Sequence, residues 1–102
     1  MADFRFEDLD IWKDSVAVAD VLYNFADRAE TKNQFRFSEQ LKGAALSISN
    51  NIAEGSGSFS KNEFAQFLNY ARRSTFECAN ILVIYQKRNL INEVEKDEFS
   101  GS

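Results

Sequence analysis

The residues best placed to do chemistry are a run of cations in the second half of the chain. Between residues 60 and 89 there are five bases, Lys61, Arg72, Arg73, Lys87 and Arg88, against two acids, Glu63 and Glu77, a local excess of +3. Together with Lys42 these side chains are candidates for contacting nucleic-acid phosphates, contacts that add up and weaken steeply with salt. Tyr70 and Phe76 lie among them and have the faces to stack on bases. Aromatic residues at helical spacing are first of all packing residues, and a solvated face is the plainer reading of the six cations. The remainder of the chain is acidic: residues 1–36 carry eight acids to five bases, residues 90–102 four to one, and the net charge is −4. An acidic chain argues against nucleic-acid binding unless an oligomer repeats its one basic stretch.

Other chemistries are closed off by composition. The chain has no histidine, which excludes His-based triads, imidazole bases and histidine metal sites. Its single cysteine, Cys78, can form neither an internal disulfide nor a multi-cysteine zinc site, and it falls in an apolar stripe that makes it a buried, inert thiol. Glu54 and Glu77 are the carboxylates nearest to apolar faces. A catalytic pair would need its two pKa values pushed apart, and nothing in the spacing brings these two together. Glu77 reads instead as one partner of an ion pair that sets helix register. Asn51 and Glu54 sit beside a helix end and a glycine turn, where such residues satisfy backbone groups. We therefore expect no catalytic residue, no metal, no cofactor and no small-molecule substrate.

The elements that position these residues are helices. The 102-residue chain is one domain without proline. The first segment runs from about 8 to 28, with Leu9, Trp12, Val16, Ala19, Tyr23 and Ala26 in one row and Ile11, Val18, Leu22 and Phe25 in a second. At about 100° per residue the two rows cover roughly 200° of the helix, twice what an ordinary surface helix buries, so this helix is expected to meet two neighbours, in its own chain or another. A polar loop over 29–36 follows, anchored by Phe35 and Phe37. The second helix spans about 38–54, with Ser38 as its N-cap and Leu41, Ala45, Ile48 and Ile52 as its stripe. Its small residues, Gly43 to Ala45, Ser47 and Ser49, suit close approach of neighbours, and Gly55 is expected to end it in a left-handed conformation. Ser60 to Glu63 is a capping box, with Phe59 available for a hydrophobic staple. The third helix then runs over 61–88. Its Phe76 and Val83 stand about 120° off the apolar face, which makes them, with Ile11, candidates for contact between chains. A stub over 93–99 closes the chain. The pattern is an all-α, up-down antiparallel bundle of three long helices plus a short or truncated fourth, completed by another subunit or by further chain.

Four blocks of this sequence resemble one family. Phe6-Glu7-Asp8-Leu9-Asp10-Ile11-Trp12, Gln40-Leu41-Lys42-Gly43-Ala44-Ala45-Leu46-Ser47-Ile48, Asn51-Ile52-Ala53-Glu54-Gly55 and Ser60-Lys61-Asn62-Glu63-Phe64 with Phe67-Leu68 occur in the order seen in the four helix bundle proteins, also called 23S rRNA intervening-sequence proteins. Ser74 and Glu77 extend the likeness, which covers about residues 4–92. The chain lacks the family's usual proline in the stretch Ile48 to Asn51, and it has Gly43 and Arg73 where a basic residue and a glycine are common. The resemblance implies a four-helix bundle that assembles into a homo-oligomer, typically a pentameric ring, and it marks Trp12, Gln40, Asn51, Glu54, Gly55, Ser60 and Glu77 as signature positions with structural roles. It also implies a fourth helix longer than the stub, so a C-terminally truncated chain is expected. A related branch binds a reverse transcriptase and nucleic acid.

Two functions follow as expectations. The first is a non-enzymatic oligomeric adaptor that binds RNA or DNA, or a reverse-transcriptase-like protein, through its basic third helix. The second is an assembly scaffold that recognises only protein. The N-terminus has no basic start followed by an apolar block, and no apolar run reaches about 18 residues, so the expected location is the cytoplasm, off the membrane.

Overall fold

In the computed structural model, which describes residues 5–100, a 3-10 turn (Arg5–Asp8) leads into four α-helices: α1 (Asp10–Thr31), α2 (Phe35–Ser56), α3 (Lys61–Lys87) and α4 (Glu93–Ser100). No strand occurs among the described residues. The fold is all-α with four helices, three long and one short. At about 1.5 Å per residue α3 is roughly 40 Å long, and it sets the long dimension of a molecule measuring 44 × 29 × 19 Å.

Within the chain the two-sided helix is α2, not α1. It packs on α1 along one side and α3 along the other, while no Cα of α1 comes within 8 Å of one in α3. Its buried residues, Ser38, Leu41, Ala44, Ala45, Ile48, Ser49, Ile52 and Gly55, are mostly small, which lets both neighbours approach. In α1 the buried stripe runs between the two apolar rows, through Ser15, Ala19, Leu22, Ala26 and Ala29. Leu9, Trp12, Val18 and Tyr23 pack at its margins, and Ile11 and Val21 are exposed. Two half-buried rows flanking one stripe look, in sequence, like two buried faces.

The connection between α1 and α2 is shorter than expected. Ala29 is fully buried and holds the helix on to Thr31. Asn33 takes φ 60°, and the Gln34 N–H donates to the Ala29 carbonyl (2.8 Å) and the Asn33 N–H to that of Glu30 (3.0 Å), a Schellman motif with asparagine in the left-handed position. The predicted loop over 29–36 is thereby reduced to Lys32–Gln34. Ser38 is no N-cap: it lies inside α2 with 2% of its surface exposed. Phe35 is exposed, so Phe37 alone anchors this corner, its ring edge-on to Tyr85 at 6.4 Å.

Gly55 overturns a second expectation. It is helical and buried, and α2 ends one residue later, with Gly57 at φ −89° as its C-cap. A Cβ on Gly55 would lie 2.7 Å from the Phe67 Cβ and 2.9 Å from the Phe64 Cδ1, so the glycine is required by the approach of α3. Gly43 has nothing within 4 Å of a would-be Cβ and serves no close approach.

At the start of α3 the Glu63 N–H donates to Ser60 Oγ (3.1 Å), half of the expected box. The staple is absent, because Phe59 is fully exposed. The end of α3 repeats the device seen after α1. Asn89 takes φ 63°, and the Leu90 N–H donates to the Tyr85 carbonyl at 2.8 Å. Buried Leu90 and Ile91 then turn the chain back into α4. That helix has a complete capping box: the Glu95 N–H donates to Asn92 Oδ1 (2.8 Å) and the Asn92 N–H to Glu95 Oε1 (3.0 Å). The same Glu95 carboxylate takes both Arg28 guanidinium nitrogens, at 2.9 and 2.7 Å, and so ties α4 across to α1.

Candidate functional site

The candidate residues of α3 lie on its outward face, whose Arg72 and Phe76 also line a groove shared with α1. On the outward face Lys61, Arg72 and Lys87 fall within about 80° of one another around the helix, with Arg73 at the border of that sector. Asn62, Asn69 and Asn80 share the sector, and Glu63 and Glu77 lie outside it. That sector of α3 carries cations and no carboxylate over about 39 Å from Lys61 to Lys87, with exposed Glu63 and Glu77 outside it. Five acids, Asp10, Asp14, Asp20, Asp27 and Glu30, are exposed on α1, of which Asp14 faces the same groove as Arg72.

The six cations are not equivalent. Lys42 bridges Asp27 (3.1 Å) and Glu30 (3.5 Å), and Asp27 foremost raises its pKa. It is engaged within the bundle. The Arg88 guanidinium lies 5.1 Å from the Phe37 ring centre and donates to Gln34 Oε1 (3.3 Å), so it too is held. Arg72 stacks over Phe76 at 5.1 Å. Lys61, Arg73 and Lys87 are exposed.

The groove runs between α1 and α3 with α2 as its floor. Ile11 and Val18 form the α1 wall, Phe76 and Ala79 the α3 wall, Ile48 and Ile52 the floor, and Phe99 of α4 one end. Asp14 lies on the α1 wall and Arg72 on the α3 wall, and the cavity holds about 630 Å³. Ile11 and Phe76, singled out from separate helices, therefore line one groove. Val83 lies off it, in a hollow of about 100 Å³ with Lys96 and Phe99.

The sequence profile of the 23S rRNA-intervening sequence protein family matches residues 7–101. This chain belongs to that family. No curated protein and no solved structure matches it. The family's signature positions have visible structural work in this member. Trp12 meets Phe6 edge-on at 5.2 Å, and its carbonyl accepts from Ser15 Oγ. Asn51 Nδ2 donates to the Ser47 carbonyl (2.8 Å) and to Ser47 Oγ (3.1 Å). Ser74 Oγ of α3 lies 2.9 Å from Ser47 Oγ, so these three residues form a polar seam between α2 and α3. Gly55 is the close approach and Ser60 the cap. Gln40 and Glu54 are exposed. Glu77 is exposed as well and forms no buried ion pair, a correction to the register role expected of it.

The remaining candidates carry no reactive chemistry. Cys78 is fully buried, and burial, helped by the charge of Glu77, pushes its thiol up to about 12. It stays protonated at neutral pH and is not poised for attack. Among the described residues no three metal-ligating side chains gather, and no helix is long and apolar enough to cross a membrane. Sequence reasoning missed the Arg28–Glu95 clamp and the groove floor. Asn92-x-x-Glu95 has the spacing of a capping box and could have announced the fourth helix's anchor.

Proposed function

We propose that this member of the 23S rRNA-intervening sequence protein family is a non-enzymatic, self-associating adaptor that holds nucleic acid by its phosphates along α3. The observation that carries this reading is the segregation of charge. Lys61, Arg72, Arg73 and Lys87 share one outward sector of α3 that holds no carboxylate, while Asp10, Asp20, Asp27 and Glu30 are exposed on α1 and Asp14 lies across the groove from Arg72. Charge pairing of this kind reads backbone rather than base sequence, and self-association multiplies it. The family's name, which refers to intervening sequences of 23S rRNA, fits RNA as the first ligand to try.

Titration of a labelled RNA duplex with the intact protein at rising salt tests it. Binding at low salt should weaken as salt increases, with a log–log slope near −0.9 per phosphate contacted. Arg73→Glu with Lys87→Glu should abolish it, and neither residue lines the groove. Absence of binding at low salt, or binding indifferent to the double variant, overturns the reading. A protein-only scaffold is the second reading, favoured by the apolar groove.

A further inference from the structure

The row of cations along α3 ends at Lys87, the last residue of the helix, and there the surface turns concave. Two corners of the chain come together at this point, the α1–α2 turn and the α3–α4 turn. Between them lies a hollow of about 320 Å³ lined by Lys32, Gln34, Lys87, Arg88 and Leu90. Three of these five residues are cations and none is an acid. Lys32 comes from the turn after α1, so the fold adds it to the two cations at the end of α3. None of the three takes part in an ion pair among the described residues. Arg88 is already fixed in place by the Phe37 ring and Gln34 Oε1, and the bond to Gln34 uses one of its five N–H donors. Like charges sharing one hollow repel one another, and an anion seated among them removes that repulsion.

The backbone around the hollow does not oppose an anion. Helices α1 and α3 both end here, and free carbonyls at a helix C-terminus repel negative charge. These carbonyls are occupied: Ala29 and Glu30 accept from the N–H groups of Gln34 and Asn33, and Ile84, Tyr85 and Gln86 from those of Arg88, Leu90 and Asn89. Helix α2 begins at the same corner with Gln34 as its N-cap, and no side chain caps its first turn. Its positive end therefore adds to the cations. Charge and place then select the ligand. A phosphate diester inside a strand carries a single negative charge. A terminal monoester carries about −1.5 to −2 at pH 7. Three cations around so small a space suit the monoester better, because bonds between charged groups strengthen with the charge they share. A strand held along α3 over about 39 Å reaches the hollow where the row ends. We infer that this hollow receives the terminal phosphate monoester of a nucleic-acid strand whose backbone lies along α3. This rests on the phosphate binding proposed above and adds to it a preference for strand ends.

The test compares RNA duplexes of one sequence that end in hydroxyls, in 5′ phosphates or in 3′ phosphates, each titrated with the intact protein at low salt. A phosphate at one kind of end should tighten binding about tenfold. Lys32→Gln should reduce that gain to about twofold or less and leave the hydroxyl-ended duplex bound as before, because Lys32 lies off α3. The Lys32 side chain is exposed, and an unchanged thermal midpoint shows that the variant is folded. A nucleoside 5′-monophosphate in excess should abolish the gain and spare the binding of the hydroxyl-ended duplex. Duplexes that bind equally whatever their ends overturn this inference and leave the cation row along α3 standing. A gain that survives Lys32→Gln overturns it too, since the end phosphate is then held elsewhere. If the monophosphate raises the thermal midpoint of the wild type and not of Lys32→Gln, while end-phosphorylated RNA gains nothing, the ligand is a free monoester and the assignment to a strand end falls. Absence of binding by every duplex overturns this inference together with the function it rests on.

Discussion

The two ends of the bundle are built from the same three helices and end differently. Towards α4, Leu22, Phe25, Leu82, Tyr85, Leu90 and Ile91 are all buried, where Leu90, Ile91 and Phe99 pack on the three-helix layer. Along the open groove Ile11 and Phe76 have the same apolar character and stay in solvent, over a floor of buried Ile48 and Ile52. The difference teaches that exposure here follows the number of layers and not residue type. Stability should accordingly concentrate where four helices meet, and surface for partners where three do.

The largest effect should come from cutting into the closed end. Leu82→Ala removes a fully buried side chain and should cost about 3 kcal/mol in urea unfolding. Ile11→Ala at the open end should cost under about 1 kcal/mol, because much of that side chain is already in water. Equal losses would erase the distinction.

A pair of glycines sharpens it. Gly55→Ala drives a Cβ to 2.7 Å from the Phe67 Cβ, an atom that cannot swing aside without moving α3. It should cost about 2 kcal/mol, within the range for overpacking. Gly43→Ala meets open space in the same helix. It should stabilise by about 0.5–1 kcal/mol, since alanine is the better helix residue. Both are readable as shifts in the thermal midpoint, and a stabilising Gly55→Ala would contradict the packing described.

The smallest effect concerns how α4 is held. Arg28 first, and then the Asn92 N–H, keep the Glu95 carboxyl below the usual carboxylate range. A lowered folded-state pKa adds stability that is present above that range and is lost as pH falls through the lowered value. The clamp is partly exposed and should contribute about 0.5 kcal/mol. Acidification below the usual carboxylate range should loosen α4 before the long helices, as followed by exchange at its amides. Glu95→Gln should remove that acid step and leave α4 weakly held at every pH.

What was legible in the sequence was local. Ser60 and Glu63 announce the start of α3 three residues apart, and the helix runs over Lys61–Lys87 where the pattern placed 61–88. The short fourth helix and the family blocks were readable on the same terms. The α1–α2 corner was not, because its stop signal is an asparagine forced to φ 60° and Ser38 looks like a cap until it is drawn into the core. Gly55 looks like a helix stop, and only Phe64 and Phe67, arriving from α3, show why it is glycine. Among the candidate cations, spacing could not reveal that Lys42 is spoken for by α1 or that Arg88 lies on Phe37. Those partners come from other elements, and so does the groove, whose two walls lie far apart along the chain.

Amide hydrogen exchange of the native protein tests the contrast between the packed region and the open groove most directly. The slowest amides should lie around Leu22, Leu82 and Tyr85, with faster exchange at the start of α1 around Ile11. Equal protection in the two regions, or slower exchange around Ile11, would contradict it.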